Sequence, residues 1–163
     1  MKIKLDNFLE RFPLIEMPIT IGEDSHHSFS KQNEPLQQKM IDQYLLPYEG
    51  GEQDEFTEFV PCLRIPKTHQ FHAIIYWKAS LMDYQYILMT LTEKGDLIDK
   101  RVIAGTFSDG NTLTNSVATI DEDWVIYIAS GQSKASIQHY DASSSRAYKL
   151  ELLPEGNIVN YQD

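Results

Sequence analysis

The chain has 163 residues, 42% hydrophobic and 11% aromatic, which is enough to bury one core and excludes a wholly disordered protein. Its formal net charge of −10 disfavours nucleic acid and anionic membrane surfaces as partners. The single cysteine, Cys62, excludes an intramolecular disulfide and a multi-cysteine zinc site, and its apolar neighbours predict a buried, unreactive thiol.

Residues 1–48 indicate a helical N-terminal part. One apolar stripe at helical spacing comprises Leu5, Phe8, Leu9 and Phe12. Pro13 ends this short helix, because proline cannot continue the hydrogen-bond ladder. Residues 17–21 are then predicted as a short strand, and the polar residues 23–32 as a loop.

A second helix is predicted to begin near Glu34, with Pro35 in its first turn, where a missing N–H costs nothing. It is followed by an acidic stretch at 49–58, which has five carboxylates and no basic residue and is predicted as a mobile surface loop. The strand expected at 59–65 contains Pro61, which predicts an edge position or a β-bulge because proline removes one ladder donor.

From His69 to the C-terminus the pattern is that of an antiparallel meander, in which short strands alternate with turns rich in Gly, Asn, Asp and Ser. The predicted strands lie at 70–77, 84–92, 97–104, 116–120, 124–129, 135–141, 146–153 and 157–161. The predicted turns include 131–133 and 143–145.

These elements predict a mostly β, α+β protein of one domain, 1–163. Its body would be an antiparallel meander of about eight to ten strands, forming a curved sheet, a sandwich or a partly open barrel. The strands at 70–77 and 124–129 are apolar on both faces, so both should be central and covered on each side. One or two N-terminal helices, including the helix from Pro35, would supply one of these covers.

Histidines are the first candidates for metal binding or proton transfer. His69 and His72 lie three residues apart at a strand start, where their side chains should point to opposite faces. His26 and His27, in the predicted loop, and His139 could join a site from elsewhere. No metal-binding motif accompanies any of them, so isolated histidines are favoured and no cofactor is predicted. His69, His72 and His139 remain weak candidates for metal ligands.

Aromatic residues are the feature of the composition that best suits recognition. Eight lie on or beside predicted strands: Tyr76, Trp77, Tyr84, Tyr86, Trp124, Tyr127, Tyr140 and Tyr148. Such residues usually fill cores, but they dominate binding patches where they are exposed. Tyr140 is the best candidate for exposure, since its same-side neighbours are polar. The set predicted to bind a ligand or partner is Tyr140, Tyr76, Trp77, Trp124 and Tyr84.

Three segments of the chain are similar to small uncharacterised bacterial proteins in which a short helical part precedes a β-meander. The segments are Ala73-Ile74-Ile75-Tyr76-Trp77, Tyr86-Ile87-Leu88-Met89-Thr90-Leu91 and Gly95-Asp96-Leu97-Ile98-Asp99. The resemblance covers about the central third of the chain and implies the same fold, but it carries no activity.

Catalytic serine motifs, nucleotide-binding glycine loops and calcium loops are all missing from the sequence. The sequence therefore predicts a non-enzymatic binding or protein-interaction module. Its ligand would be a small molecule or a protein partner, and a basic partner would suit the net charge. The alternative is a hydrolase or metal-dependent enzyme of unrecognised type that gathers His with Asp or Glu in a cleft. We expect a cytoplasmic monomer or homodimer, unless a leader sequence has been removed.

Overall fold

A computed structural model describes residues 2–50, 56–81, 83–134 and 140–161. The helices are α1 Leu5–Leu9, α2 Ser25–Gln32 and α3 Gln38–Met40, and α3 continues as a π-helical turn, Ile41–Leu45, and a 3-10 turn, Leu46–Tyr48. The strands are β1 Ile19–Ile21, β2 Glu58–Arg64, β3 Phe71–Ala79, β4 Asp83–Thr92, β5 Leu97–Ser108, β6 Thr112–Ile120, β7 Val125–Lys134, β8 Tyr140–Leu152 and β9 Ile158–Asn160. No helix in these ranges has the length and apolar character needed to cross a bilayer.

The nine strands of the described ranges form one antiparallel sheet that is not closed, which confirms the predicted mostly β, α+β meander. Strands β2 to β9 pair in sequence order, while β1 pairs with β6. The link between β5 and β6 is short, since only Gly105–Ser108 pairs with β6, at Leu113–Ser116. β1 pairs with the remainder of β6, at Ala118–Ile120. The sheet therefore divides here into two halves, β2–β5 and β6–β9.

The two halves share one apolar core between their inner faces, which every strand supplies in part. Hydrogen bonds also join them directly. The Thr90 hydroxyl donates to the Gly156 carbonyl at 2.7 Å, and the Ile158 amide donates to Asp99 Oδ2 at 2.8 Å. Because Thr90 is fully buried, its bond satisfies a polar group that would otherwise destabilise the core.

Strand β3 is buried on both faces, as the sequence predicts. Its inward side chains, such as Ile75 and Trp77, enter the core between the halves. Its alternate side chains, Ile74 and Tyr76, contact a second apolar cluster. The second cluster also holds residues of the N-terminal helical part: Phe8, Leu9, Phe12, Met40, Ile41, Tyr44 and Leu45. This arrangement confirms that the N-terminal helices cover one side of the sheet.

The loop predicted at 23–32 is wrong, because residues 25–32 form helix α2. Phe29 is its one buried apolar side chain, so the sequence shows no helical stripe. Polar contacts hold the helix instead. The Gly22 amide donates to Ser25 Oγ at 2.9 Å, and the Asn33 amide group donates to the carbonyls of Pro61 and Cys62 at 2.7 and 2.9 Å. Both carbonyls lie at the β-bulge that Pro61 predicts.

Two predicted turns in the C-terminal half are also wrong. Residues 131–133 continue β7 beyond a bulge between Ser130 and Gln132, and residues 143–145 lie inside β8. Small and polar residues are compatible with extended strands, so their presence marks no reversal here. Of the strand predicted at 135–141, residues 135–139 lie outside the described ranges.

The prediction that the strand at 124–129 is covered on both faces is also wrong. Tyr127 is exposed on the outer face of β7.

The Glu49 side chain is only 5% exposed, contrary to the mobile surface loop predicted at 49–58. Its carboxylate accepts hydrogen bonds from Tyr76 Oη and Lys78 Nζ, each at 2.7 Å, and from Lys100 Nζ at 3.3 Å. Lys100 also donates to the Tyr48 carbonyl at 2.8 Å. These bonds fix the end of the N-terminal part against β3 and β5. Residues 51–55 of the predicted loop lie outside the described ranges.

Glu49→Gln should lower the free energy of unfolding at neutral pH by about 1–3 kcal/mol, because it leaves two largely buried ammonium groups without their counter-charge. Urea denaturation measures this loss. The matched control is Glu155→Gln, in an exposed turn, which should change stability by less than about 0.5 kcal/mol. Equal losses in the two variants would contradict the role of the buried carboxylate.

The loss should also depend on pH. Burial by itself raises the pKa of Glu49, but the hydrogen bonds from Lys78 and Tyr76 and the charge of Lys100 hold that pKa below its ordinary value of 4.5. A lowered carboxyl pKa adds stability that is complete above the unfolded value and is lost as the pH falls through the folded value. The difference between wild type and Glu49→Gln should therefore hold steady near pH 7 and shrink below pH 4.5.

Candidate functional site

A cleft of about 320 Å³ opens where the start of α2 meets β3, β4 and β5. Its lining residues are Glu23, Asp24, His26, His27, Trp77, Tyr84, Tyr86, Gly105 and Thr106. Other cavities in the described part of the chain are larger. This cleft is the candidate site because it combines aromatic rings, hydrogen-bonded polar groups and two carboxylates in one concave surface.

Three rings of the cleft stack in a row. The His26 imidazole lies parallel to the Trp77 indole, with ring centroids 4.1 Å apart and an interplanar angle of 3°. The Tyr84 ring stacks near the same indole, with centroids 5.6 Å apart and an angle of 17°. Trp77 is buried, whereas Tyr84 is 47% exposed. A ligand entering the cleft would therefore meet the Tyr84 ring first.

Strand register explains why these rings share one face. Trp77 pairs with Tyr86, and Ala79 pairs with Tyr84, so the inward residues of β3 and β4 are cross-strand neighbours. Tyr86 is buried within the core, and Tyr84 lies two residues nearer the start of β4, at the rim. The alternation along two adjacent strands thus produces a row of aromatic side chains that emerges from the core into the cleft.

Helix α2 places His26 on this row. The His26 amide donates to Tyr86 Oη at 2.7 Å, and the ring Nδ1 lies 2.9 Å from the Glu23 carbonyl, a contact that fits an Nδ1–H donor. Burial lowers the pKa of His26 below 6.5, and the neighbouring His27 lowers it further. The stacked imidazole is therefore uncharged at neutral pH.

Gly105 allows β5 to approach β4 beside the cleft. A Cβ atom at this position would lie 2.2 Å from the Tyr84 carbonyl oxygen, far inside van der Waals contact. Next to it, the Thr106 hydroxyl donates to Asn115 Oδ1 at 2.7 Å and ties β5 to β6. The position of the Tyr84 backbone thus depends on a residue without a side chain.

The structure brings together two of the five predicted binding residues, Trp77 and Tyr84. Tyr76 lies on the opposite face of β3, fully buried and bonded to Glu49. Trp124 lines a different cavity and packs edge-on against Phe71 at 6.0 Å. Tyr140 begins β8, paired with Ser133, and its side chain lies outside the described part of the structure.

The predicted histidine candidates do not meet. His69 is exposed before β3, and His72 is half-buried on the helix-facing side of that strand. Burial lowers the pKa of His72, as does the charge of Arg64. His139 lies outside the described ranges. Across 2–50, 56–81, 83–134 and 140–161, no three His, Cys, Asp or Glu residues form a group that could hold a metal ion.

Sequence reasoning missed Gly105, which gives no signal in the sequence. It names His26 as a loop residue that could join a site from elsewhere, but it does not predict α2 or the stacking of His26 on Trp77. The available signal for the cleft was the pair Trp77 and Tyr84, since both lie at the ends of strands joined by a short reversal. Cys62, by contrast, is fully buried as expected, and burial raises the pKa of its thiol.

Comparison of the chain with protein-family models, with curated proteins and with solved structures gave no significant match in any of the three. The resemblance to small uncharacterised bacterial β-meander proteins therefore stays a prediction. The chemistry of the cleft has to be argued from its own residues.

Gly105→Ala should lower the free energy of unfolding by about 2–4 kcal/mol, because the added methyl group displaces backbone and no flexible side chain can yield. The control is Gly110→Ala, where φ is also positive, at +95°, but nothing lies within 4 Å. That variant should lose only the conformational cost of about 1 kcal/mol. Urea denaturation of both variants checks the difference, and equal losses would contradict the steric argument.

Proposed function

We propose that the protein is a non-enzymatic binding module and that its ligand occupies the cleft formed by His26, Trp77 and Tyr84. The ligand is a small molecule or a single side chain of a partner protein. The half-exposed ring of Tyr84, stacked on a buried indole inside a concave surface, is the observation that carries this proposal.

The size of the cleft supports a small ligand. A volume of about 320 Å³ lies at the lower end of the usual range for ligand sites, roughly 300–1,000 Å³. Such a space accommodates a few non-hydrogen atoms beside the aromatic row. It is too small for a folded surface, although one side chain from a partner would fit.

The rigidity of the walls supports binding as well. Trp77 and Tyr84 belong to strands paired along their whole lengths, and α2 is anchored by Tyr86 near its start and by Asn33 at its end. Walls that are already ordered lose little conformational entropy when a ligand binds. A cytoplasmic location, the absence of nucleic-acid partners and a monomeric or homodimeric state stay predictions of the sequence.

A fragment screen by ligand-observed NMR tests this function, using Tyr84→Ala and the control Tyr148→Ala. Both side chains are about half exposed, at 47% and 49%, so neither truncation should unfold the protein. Fragments that bind wild type should bind Tyr148→Ala equally and Tyr84→Ala about five- to tenfold more weakly, the effect of one stacking ring. A screen without hits, or hits that bind both variants equally, would contradict the proposal.

A further inference from the structure

Two carboxylates and one basic residue, His27, stand among the residues around the cleft. Glu23 and Asp24 line its rim, and the lining residues include no Lys or Arg. Both carboxylates are close enough to act on the His26 ring, which is itself uncharged at neutral pH. A bound group would thus lie between aromatic faces and two acidic side chains, in a protein whose net charge is −10.

We propose that the cleft binds an organic cation, an alkylammonium group, seated on the exposed face of Tyr84 and attracted by Glu23 and Asp24. This inference rests on the proposed function, because it names the ligand class of the same cleft. An ammonium group with alkyl substituents suits such a site, since aromatic faces attract the charge and also contact the carbon atoms.

Other ligand classes match the cleft less well. Phosphorylated or carboxylated ligands would be repelled by the two rim carboxylates, since the lining residues include no Lys or Arg to attract them. A neutral aromatic ligand could stack on Tyr84 but would gain nothing from Glu23 and Asp24. A bare metal ion would gain nothing from the hydrophobic faces of the rings. An organic cation uses both the rings and the acids.

A contact between a cation and tyrosine rings occurs elsewhere in the same protein. The Lys149 ammonium lies 5.5 Å from the ring centroids of both Tyr127 and Tyr161 on the outer face of the C-terminal half. Tyrosine rings of this sheet therefore already accept a cation between them. In the cleft, the corresponding place beside Tyr84 is open to solvent and bordered by acids.

The first test compares choline with 3,3-dimethylbutan-1-ol, its uncharged isostere. Each is titrated into the protein while NMR follows the indole N–H signals of Trp77 and Trp124. Choline should shift the Trp77 signal with a Kd in roughly the millimolar range, and the isostere should bind at least about fivefold more weakly. Trp124 lines another cavity together with Glu122 and Asp123, so its signal should shift less than that of Trp77, and an equal shift would contradict a preference for the cleft.

The second test removes the charges. Asp24 makes no side-chain capping bond to α2, so Glu23→Gln with Asp24→Asn should leave the helix intact. Choline affinity should fall about three- to tenfold, while binding of the isostere should not change. The control pair, Glu122→Gln with Asp123→Asn, removes the same total charge from exposed positions away from the cleft and should leave choline affinity nearly unaltered.

The outcomes separate this inference from the function on which it rests. If the isostere binds as well as choline, and both are lost in Tyr84→Ala, the cleft is a binding site but the preference for cations is wrong. The same holds if neither probe binds while a screened fragment depends on Tyr84. Choline binding that is equally strong in wild type and in Tyr84→Ala would overturn both the preference for cations and the proposed function of the cleft.

A further comparison identifies the source of the cation. A short peptide containing trimethyllysine presents the same ammonium group as choline, but with a peptide backbone attached. Tighter binding of the peptide would assign the cleft to a side chain of a partner protein. Equal or weaker binding would assign it to a free small molecule.

Discussion

The two-sided burial of strand β3 is the constraint on which the rest of the structure depends. Ile75 and Trp77 face the core between the two sheet halves, and Ile74 and Tyr76 face the N-terminal helices. Because side chains alternate along a strand, a shift of one residue in register would exchange these two sets. It would also move Tyr76 away from the buried carboxylate of Glu49. One strand thus fixes the position of the helices and of the second sheet half at once.

The cleft lies beside the point at which the sheet divides. β5 pairs with β6 only from Gly105 to Ser108, and Gly105 also lines the cleft. Helix α2 is tied to β4 through Tyr86 and to the bulge of β2 through Asn33. The start of the helix borders the cleft, and Tyr84 stays half exposed there. The concave surface therefore depends on a helix that hydrogen bonds, rather than apolar burial, hold beside the sheet.

The hydrophobic pattern of the sequence predicts the elements whose position depends on apolar burial. It does not predict the elements that polar contacts hold in place. The class, the positions of most strands and the irregularity at Pro61 could all be inferred, because each depends on local patterns. Helix α2 could not, since Phe29 is its one buried residue and its anchors to the sheet are hydrogen bonds to residues far along the chain, at Tyr86, Pro61 and Cys62. The prediction that Glu49 lies in a mobile surface loop is wrong for the same reason. Lys78 and Lys100, its ion-pair partners, lie far along the chain and contact it only in the folded protein.

Exposure alone does not make Tyr84 a candidate binding residue, since Tyr127 and Tyr148 are exposed to similar extents. Tyr127 already has Lys149 near its ring, and no ring of the described residues stacks on Tyr148. Tyr84 differs because a buried indole supports its ring and because Glu23 and Asp24, just before α2, line the same cleft. A ligand there would replace solvent on a surface that is already ordered, whereas at Tyr148 it would meet a single unsupported ring. The cleft therefore depends on this combination of neighbours, which only the folded chain brings together.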